Sequence, residues 1–356
     1  MTRNRELIRP KAELLRRQGT QNVTERLPFD SHKHFIGHVI KRDLSTGAEL
    51  ARGIAAFTQT KGLDGSLYID GKEIKLTPFK AESSVHDLHI IYMAEEERGD
   101  LTNDMIRIEA IDTSAFSSRK KRDLAIAEQT VELMVTVEHD VYEELGYGAV
   151  DYMLSCVNFA QAIFMDDSLL AHGIKIKFTV VKMVLLESDE LLSLTGQRSY
   201  GDITDLFATF AFSFERQQTW RDGGEEDLKY YDVAVVVGGT SVFDNGNDVG
   251  LSSFQGCDVN NHYIAIKYYT NDHTARILAR QLGHVVGMDN DEPTQECYEV
   301  GIMSDVNVLT FTSCNRYDAM AYLSSQEGAC FSDVPDDTVI FEALRPKTSV
   351  STTTAT

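Results

Sequence analysis

Residues 279–291, A-R-Q-L-G-H-V-V-G-M-D-N-D, bring together the side chains whose types and spacing bear most directly on chemistry. Two imidazoles four residues apart share one helix face and can hold a zinc ion. A glutamate beside the first takes a proton from the bound water, and a third protein ligand leaves the fourth place open. This segment has the helical pattern but a single imidazole, His284. A guanidinium, Arg280, stands four residues before it and an amide, Gln281, three before it; a second amide, Asn290, stands six after it. A guanidinium is a permanent cation with no acceptor, and a neutral amide has no oxygen that titrates near neutrality. Together these four groups are a poor set for holding a dication and activating water.

The elements that must position these residues follow from periodicity. HTARILARQLGHVVG (273–287) has amphipathic helical spacing, with Leu278, Leu282 and Val285 on one face and Gly287 as a stop. Ahead of it, VELMVTV (131–137), IKIKFTVVKMVLL (174–186), DVAVVVGG (232–239) and HYIAIKY (262–268) predict strands. AVDYMLSCVNFAQAIFMD (149–166) and DITDLFATFAFSFERQQ (202–218) predict helices between them. Strands interleaved with helices predict an α/β layer with a largely parallel sheet. Residues 33–93 alternate apolar and polar positions instead, which predicts a small antiparallel sheet with a hairpin at Asp70-Gly71. Residues 1–32 are polar and basic and are expected to lack stable order, and 335–356 end in the low-complexity TSVSTTTAT. The chain thus divides at 1–32, 33–122, 123–334 and 335–356, with no internal repeat.

Charge and cysteine usage narrow the function classes. The net charge is −21, with 21 Lys+Arg against 18 Asp+Glu in residues 1–122 and 13 against 37 in residues 123–356. So acidic a second part repels nucleic acid and anionic membrane surfaces, so neither is expected as a partner. No apolar run is long enough to span a bilayer. The five cysteines are Cys156, Cys257, Cys297, Cys314 and Cys330. An odd count leaves one thiol over.

The words around the candidate residues resemble the active-site region of the reprolysin/ADAM (adamalysin) metzincins. There His-Glu-x-x-His-x-x-Gly-x-x-His-Asp precedes a Met-turn written Cys-Ile-Met. In this chain Leu282-Gly283, Gly287-Met288 and Asp291 stand in register, Gly301-Ile302-Met303 follows, and FTSC (311–314) with Cys330 completes the frame. The likeness runs upstream through VELMVTV, VAVVVGGTSVF and VGLSSFQGCD. It also reaches FIGHVIKRDLSTGAELARGIAAFTQTKGLDGSLYIDGKEIKLTPF, which is similar to reprolysin propeptides, so that about residues 33–333 are covered.

The resemblance implies a metzincin-like protease domain with a mixed, mostly parallel twisted sheet, an active-site helix and a Met-turn at Met303, behind a small β-rich prodomain. It assigns Arg280 and Asn290 to the first and third zinc-ligand positions, His284 to the second and Gln281 to the general base. Loss of a general base alone costs ~10²–10⁴-fold in rate. Zinc is therefore not expected to bind tightly, and His284 reads as a structural histidine. The implied function is a catalytically inactive homologue, a pseudoprotease, that binds a protein or peptide at its vestigial cleft. The alternative is an active zinc metalloendopeptidase with atypical ligands, although no spacing directs His262 or His273 to the metal. VGLSSFQG (249–256) corresponds to the family's edge strand, which takes a peptide by adding a strand.

Further expectations rest on the same resemblance. Arg119-Lys120-Lys121-Arg122 fits the pattern cut by furin-type convertases. A cut between Arg122 and Asp123 makes residues 33–122 a propeptide and the chain its own partner; otherwise the run is a solvated loop. A third possibility gives residues 33–122 the role of a stable partner or chaperone. A family calcium site maps onto Glu132, Asp232, the carbonyl of Cys330 and Asp333, although acids are abundant in this region in any case. By resemblance Cys257 pairs with Cys330 and Cys297 with Cys314. Gly301 replaces a family cysteine, and Cys156 reads as a buried thiol. Such pairing implies an oxidising compartment and a secreted protein. MTRNRELIRPKAELLRRQ itself lacks the apolar core of a signal peptide. The short form is similar to the short secreted reprolysins of arthropods, and Asn22-Val23-Thr24 is a glycosylation sequon.

Overall fold

The structure, a computed structural model, describes residues 1–18, 21–27, 33–59, 62–78, 89–93, 105–106, 128–188, 231–239, 249–257, 262–269, 272–291 and 299–332. The predicted helix at 202–218 and the tail from 335 lie outside them, as do Cys297, Arg122, Asp123 and Asp333.

Eight strands form the sheet on which the helix at His273–Val285 packs, in the order β3 (Gln21–Arg26), β2 (Ile8–Gln18), β11 (Ile176–Leu186), β10 (Gln129–Val137), β12 (Val233–Gly238), β14 (Tyr263–Lys267), β13 (Gly250–Ser253) and β9 (Met105–Ile106). Strands β2, β11, β10, β12 and β14 run parallel, whereas β13 turns back antiparallel to β14. The central strands are buried on both faces, which is why VELMVTV and VAVVVG are continuous apolar runs without alternation. Helices α1 (His139–Leu145), α2 (Gly148–Phe164) and α3 (Asp167–Leu170) follow β10. Helix α4 (His273–Val285) packs on α2, β13 and β14, and α5 (Ser313–Leu323) opens with a capping box between Thr312 and Asn315.

A second sheet is antiparallel, in the order β1 (Thr2–Arg3), β4 (Lys33–Arg42), β5 (Glu49–Gln59), β6 (Leu63–Ile69), β7 (Lys72–Pro78) and β8 (His89–Met93). Ile69 pairs with Lys72 across Asp70 (φ 53°) and Gly71 (φ 71°), a two-residue hairpin with both central residues left-handed.

The first 32 residues depart from the expectation that they lack order. Thr2–Arg3 pairs with β4, while Ile8–Gln18 pairs in parallel with β11, from Ile8 opposite Val180 to Arg17 opposite Leu186. Leu7, Ile8, Ala12, Leu14 and Leu27 are buried in the core shared with Leu133 and Phe178. The many charges between them mask this pattern. Pro10, which cannot donate to a ladder, falls where the register shifts between Ile8 and Glu13.

Candidate active site

Helix α4 is buried along its whole length, so every side chain on it answers to a neighbour. Three glycines permit its close packing. At Gly283 a Cβ would lie 2.6 Å from Met303 Sδ, so the absence of a side chain lets Met303 come up beneath the helix. At Gly250 on β13 a Cβ would meet Ile277 at 2.6 Å and Gln281 Nε2 at 3.1 Å, which puts the edge strand directly over Gln281. Gly287, at φ 91°, ends the helical segment in a left-handed turn against Tyr322.

The residues singled out in the sequence come together here. Arg280 is 2% exposed, and its Nη2 donates to Asn290 Oδ1 at 2.9 Å while Nη1 donates to the Ile302 carbonyl at 3.2 Å. The two positions that the resemblance gives to the first and third ligands are therefore bonded to each other. Gln281 and His284 are fully buried. His284 Nδ1 lies 2.9 Å from the Met288 carbonyl, and because a carbonyl only accepts, Nδ1 is the donor. His273 begins the same helix, ~16 Å along its axis from His284 at 1.5 Å per residue, with its ring perpendicular to that of Tyr269. His262 stacks on Tyr263. The side chains at these positions do not fit zinc: they are one imidazole, one guanidinium and two amides. Among the described residues no group of three or more His, Cys, Asp or Glu is placed to hold a metal.

Beyond the helix, Gly301 donates its N–H to Asp291 Oδ2 at 3.1 Å, and Thr312 donates to Asp291 Oδ1 at 2.7 Å. A Cβ on residue 301 would lie 2.8 Å from the Thr310 carbonyl, so the chain has closed over the place where the family has a cysteine side chain. Cys257 is disulfide-bonded to Cys330, and Cys314 is also in a disulfide. Cys156 is a free thiol within α2, and burial pushes its pKa up.

At the residues proposed for calcium, Asp232 Oδ2 accepts the Glu132 N–H at 2.8 Å, which joins the two acids across β10 and β12. Arg9 of β2 forms an ion pair with the Glu132 carboxylate, both side chains nearly buried. A guanidinium thus stands on one carboxylate of the proposed calcium set, and Asp333, another member, lies outside the described residues. Periodicity gave no warning of Arg9, since it lies in the segment expected to lack order.

A second polar cluster, also absent from the sequence reading, joins the N-terminal sheet to the start of α4. Arg276 pairs with Glu73 of β7 and donates to Asn307 Oδ1 at 3.2 Å. Asp272, just ahead of α4, accepts from Ser66 and lies 3.8 Å from Lys75. Burial raises the Glu73 carboxyl to about 7, helped by its hydrogen bond to Asp272 and that neighbour's charge, against the pull of Arg276 and Lys75. Burial works against ionised Asp272, but the Glu73 hydrogen bond, Lys75, Ser66 and Arg276 outweigh it and hold its pKa low. Only the position of Asp272 before a helical pattern could have marked it in the sequence.

The edge strand β13 carries a neighbour on its outer side. Ser252 and Ser253 pair in parallel with Met105 and Ile106 of β9, so the N-terminal part of the chain lies along the edge where a peptide would add.

Residues 129–335 match the family described as Reprolysin (M12B) family zinc metalloprotease. The chain is similar to A disintegrin and metalloproteinase with thrombospondin motifs 12 of Mus musculus, at 22% identity over 335 residues, 85% of this chain and 20% of that protein. Motifs 7 of Homo sapiens is 26% identical over 235 residues, 62% of this chain and 13% of that protein. Disintegrin and metalloproteinase domain-containing protein 18 of Mus musculus is 21% identical over 341 residues, 88% of this chain and 42% of that protein. The chain thus spans less than half the length of each of these relatives.

Proposed function

The chain belongs to the reprolysin (M12B) family, and we propose that it is a member that binds protein or peptide segments without hydrolysing them. The observation that carries this reading is the Arg280–Asn290 hydrogen bond. It ties two would-be ligand positions together and fills the space between them with a fixed positive charge. Gln281 at the base position has no group that can take a proton from water. Binding would use the edge of β13, by strand addition in the place that Met105–Ile106 of β9 occupies in the intact chain, once β9 has left it. Residues 33–122 read as the propeptide, Met303 beneath Gly283 as the Met-turn, and a secreted setting accords with the Cys257–Cys330 disulfide. Among the described residues no helix is long and apolar enough to cross a membrane.

The second reading, an active zinc endopeptidase with atypical ligands, draws on His284, whose Nδ1 lies 2.9 Å from the Met288 carbonyl, the kind of outer bond that orients a metal-binding imidazole. Metal analysis of the purified protein together with a peptide-library digest separates the two. The binding reading expects no stoichiometric zinc and intact peptides. Stoichiometric zinc with cleavage that a chelator stops overturns it.

A further inference from the structure

We propose that the N-terminal region, residues 1–93, is a permanent half of this molecule and stays bound to the reprolysin domain after the chain is cut at Arg122. The inference rests on reading 119–122 as a processing site, and goes beyond it to what the cut leaves behind.

Three separate surfaces carry it. The first is the sheet itself. Strand β2 is not laid over the domain but inserted into its hydrogen-bonded order, between β11 and β3. Without it β11 becomes an open edge, its backbone groups unpaired along a strand whose Val180, Met183, Val184 and Leu185 are completely buried. Leu14 opposite Met183 and Leu15 opposite Val184 continue the apolar rows of the interior across this junction.

The second is helix α2. A helix that is buried on nearly all sides must be covered on both faces, and α2 lies between the eight-stranded sheet and strands β4 and β5. Within it Asn158, 1% exposed, finds its partners in the N-terminal region: it accepts from Asn4 Nδ2 at 3.0 Å and donates to the Phe35 carbonyl at 3.2 Å. A buried amide that faces an opposing backbone marks a surface built for one fixed neighbour.

The third is the start of α4, where Arg276 meets Glu73 and where Tyr68 donates to the Asn307 carbonyl at 2.9 Å. These contacts lie on different elements of the reprolysin domain, so no single opening motion releases them together.

The experiment uses the whole chain. It is treated with a furin-type convertase and passed through a sizing column in physiological salt. Co-elution of both fragments as one particle of the intact mass, 39.8 kDa, is the expected result. Elution of the reprolysin fragment free of the N-terminal fragment overturns the proposal. If the convertase leaves the chain whole, the processing reading fails by itself. A chain with a site-specific protease sequence in place of residues 119–122 then decides retention alone, by the same two outcomes. In the cut protein Leu14→Asp is expected to shorten the lifetime of the complex at least tenfold. An unchanged lifetime means that the inserted strand is not what holds the halves together, and it too overturns the proposal.

Discussion

The contact between Glu73 and the start of α4 gives the chain a pH dependence whose sign and size follow from its geometry. Arg276, Asp272 and Lys75 are the charged groups that face the Glu73 carboxyl. Its pKa lies at about 7 in the folded chain, above the ordinary 4.5. A raised carboxyl contributes stability that is complete below its unfolded value and fades as pH rises through the folded one. Asp272 has the opposite sign, since its lowered pKa makes its contribution fade in acid, well outside the neutral range. Between about pH 6 and pH 8 the Glu73 term therefore changes alone within this cluster. One proton bound at the lower pH and lost at the higher is a tenfold change in the folding equilibrium, on the order of 1 kcal/mol. Urea unfolding of the wild type and of Glu73→Gln at both pH values isolates it, because the amide keeps the shape and cannot titrate. The wild type is expected to lose about 1 kcal/mol more than the variant on going to the higher pH. Equal losses, or a smaller loss in the wild type, would refute the assignment of a shared proton to this contact.

Three further outcomes follow from the site. Restoring the family's ligand set with Arg280→His, Gln281→Glu and Asn290→His should let zinc at a thousandfold excess over Kd raise Tm by roughly 10 °C, with no shift in the wild type; a zinc-dependent shift in the wild type counts against the proposed function. Millimolar calcium should leave the melting of the intact chain unchanged while stabilising Arg9→Gln, because the guanidinium no longer stands on Glu132; calorimetry in both proteins checks this. Gly283→Ala should cost about 1–3 kcal/mol in urea unfolding, because the new methyl presses on Met303 Sδ, and a Met303→Ala background should recover most of it.

The sheet of the reprolysin domain was legible because strands buried on both faces leave unbroken apolar runs, as in Val233–Gly238. Helix α4 was legible from its spacing, and the four side chains that decide its chemistry lie within eleven residues of one another. Strand β2 was not legible. Arg9, Lys11, Glu13, Arg16 and Arg17 give it the look of a solvated arm, yet Arg9 and Arg16 are used up in ion pairs with Glu132, Glu25 and Glu187. Pairings between residues more than a hundred positions apart leave no local period to read. For the same reason the Glu73–Arg276 contact could not be found from either segment.

The bond between Arg280 and Asn290 has a consequence for descent. With histidine at 290 alone, a buried guanidinium loses an acceptor and gains an imidazole beside it. With histidine at 280 alone, the amide faces a ring and the cationic place stands half built. Either single step gives up stability before any metal can repay it, so the way back to a zinc site crosses a barrier two substitutions wide, and an enzyme needs a third at Gln281. Descendants of this sequence would more readily alter the rim of the cleft than its floor.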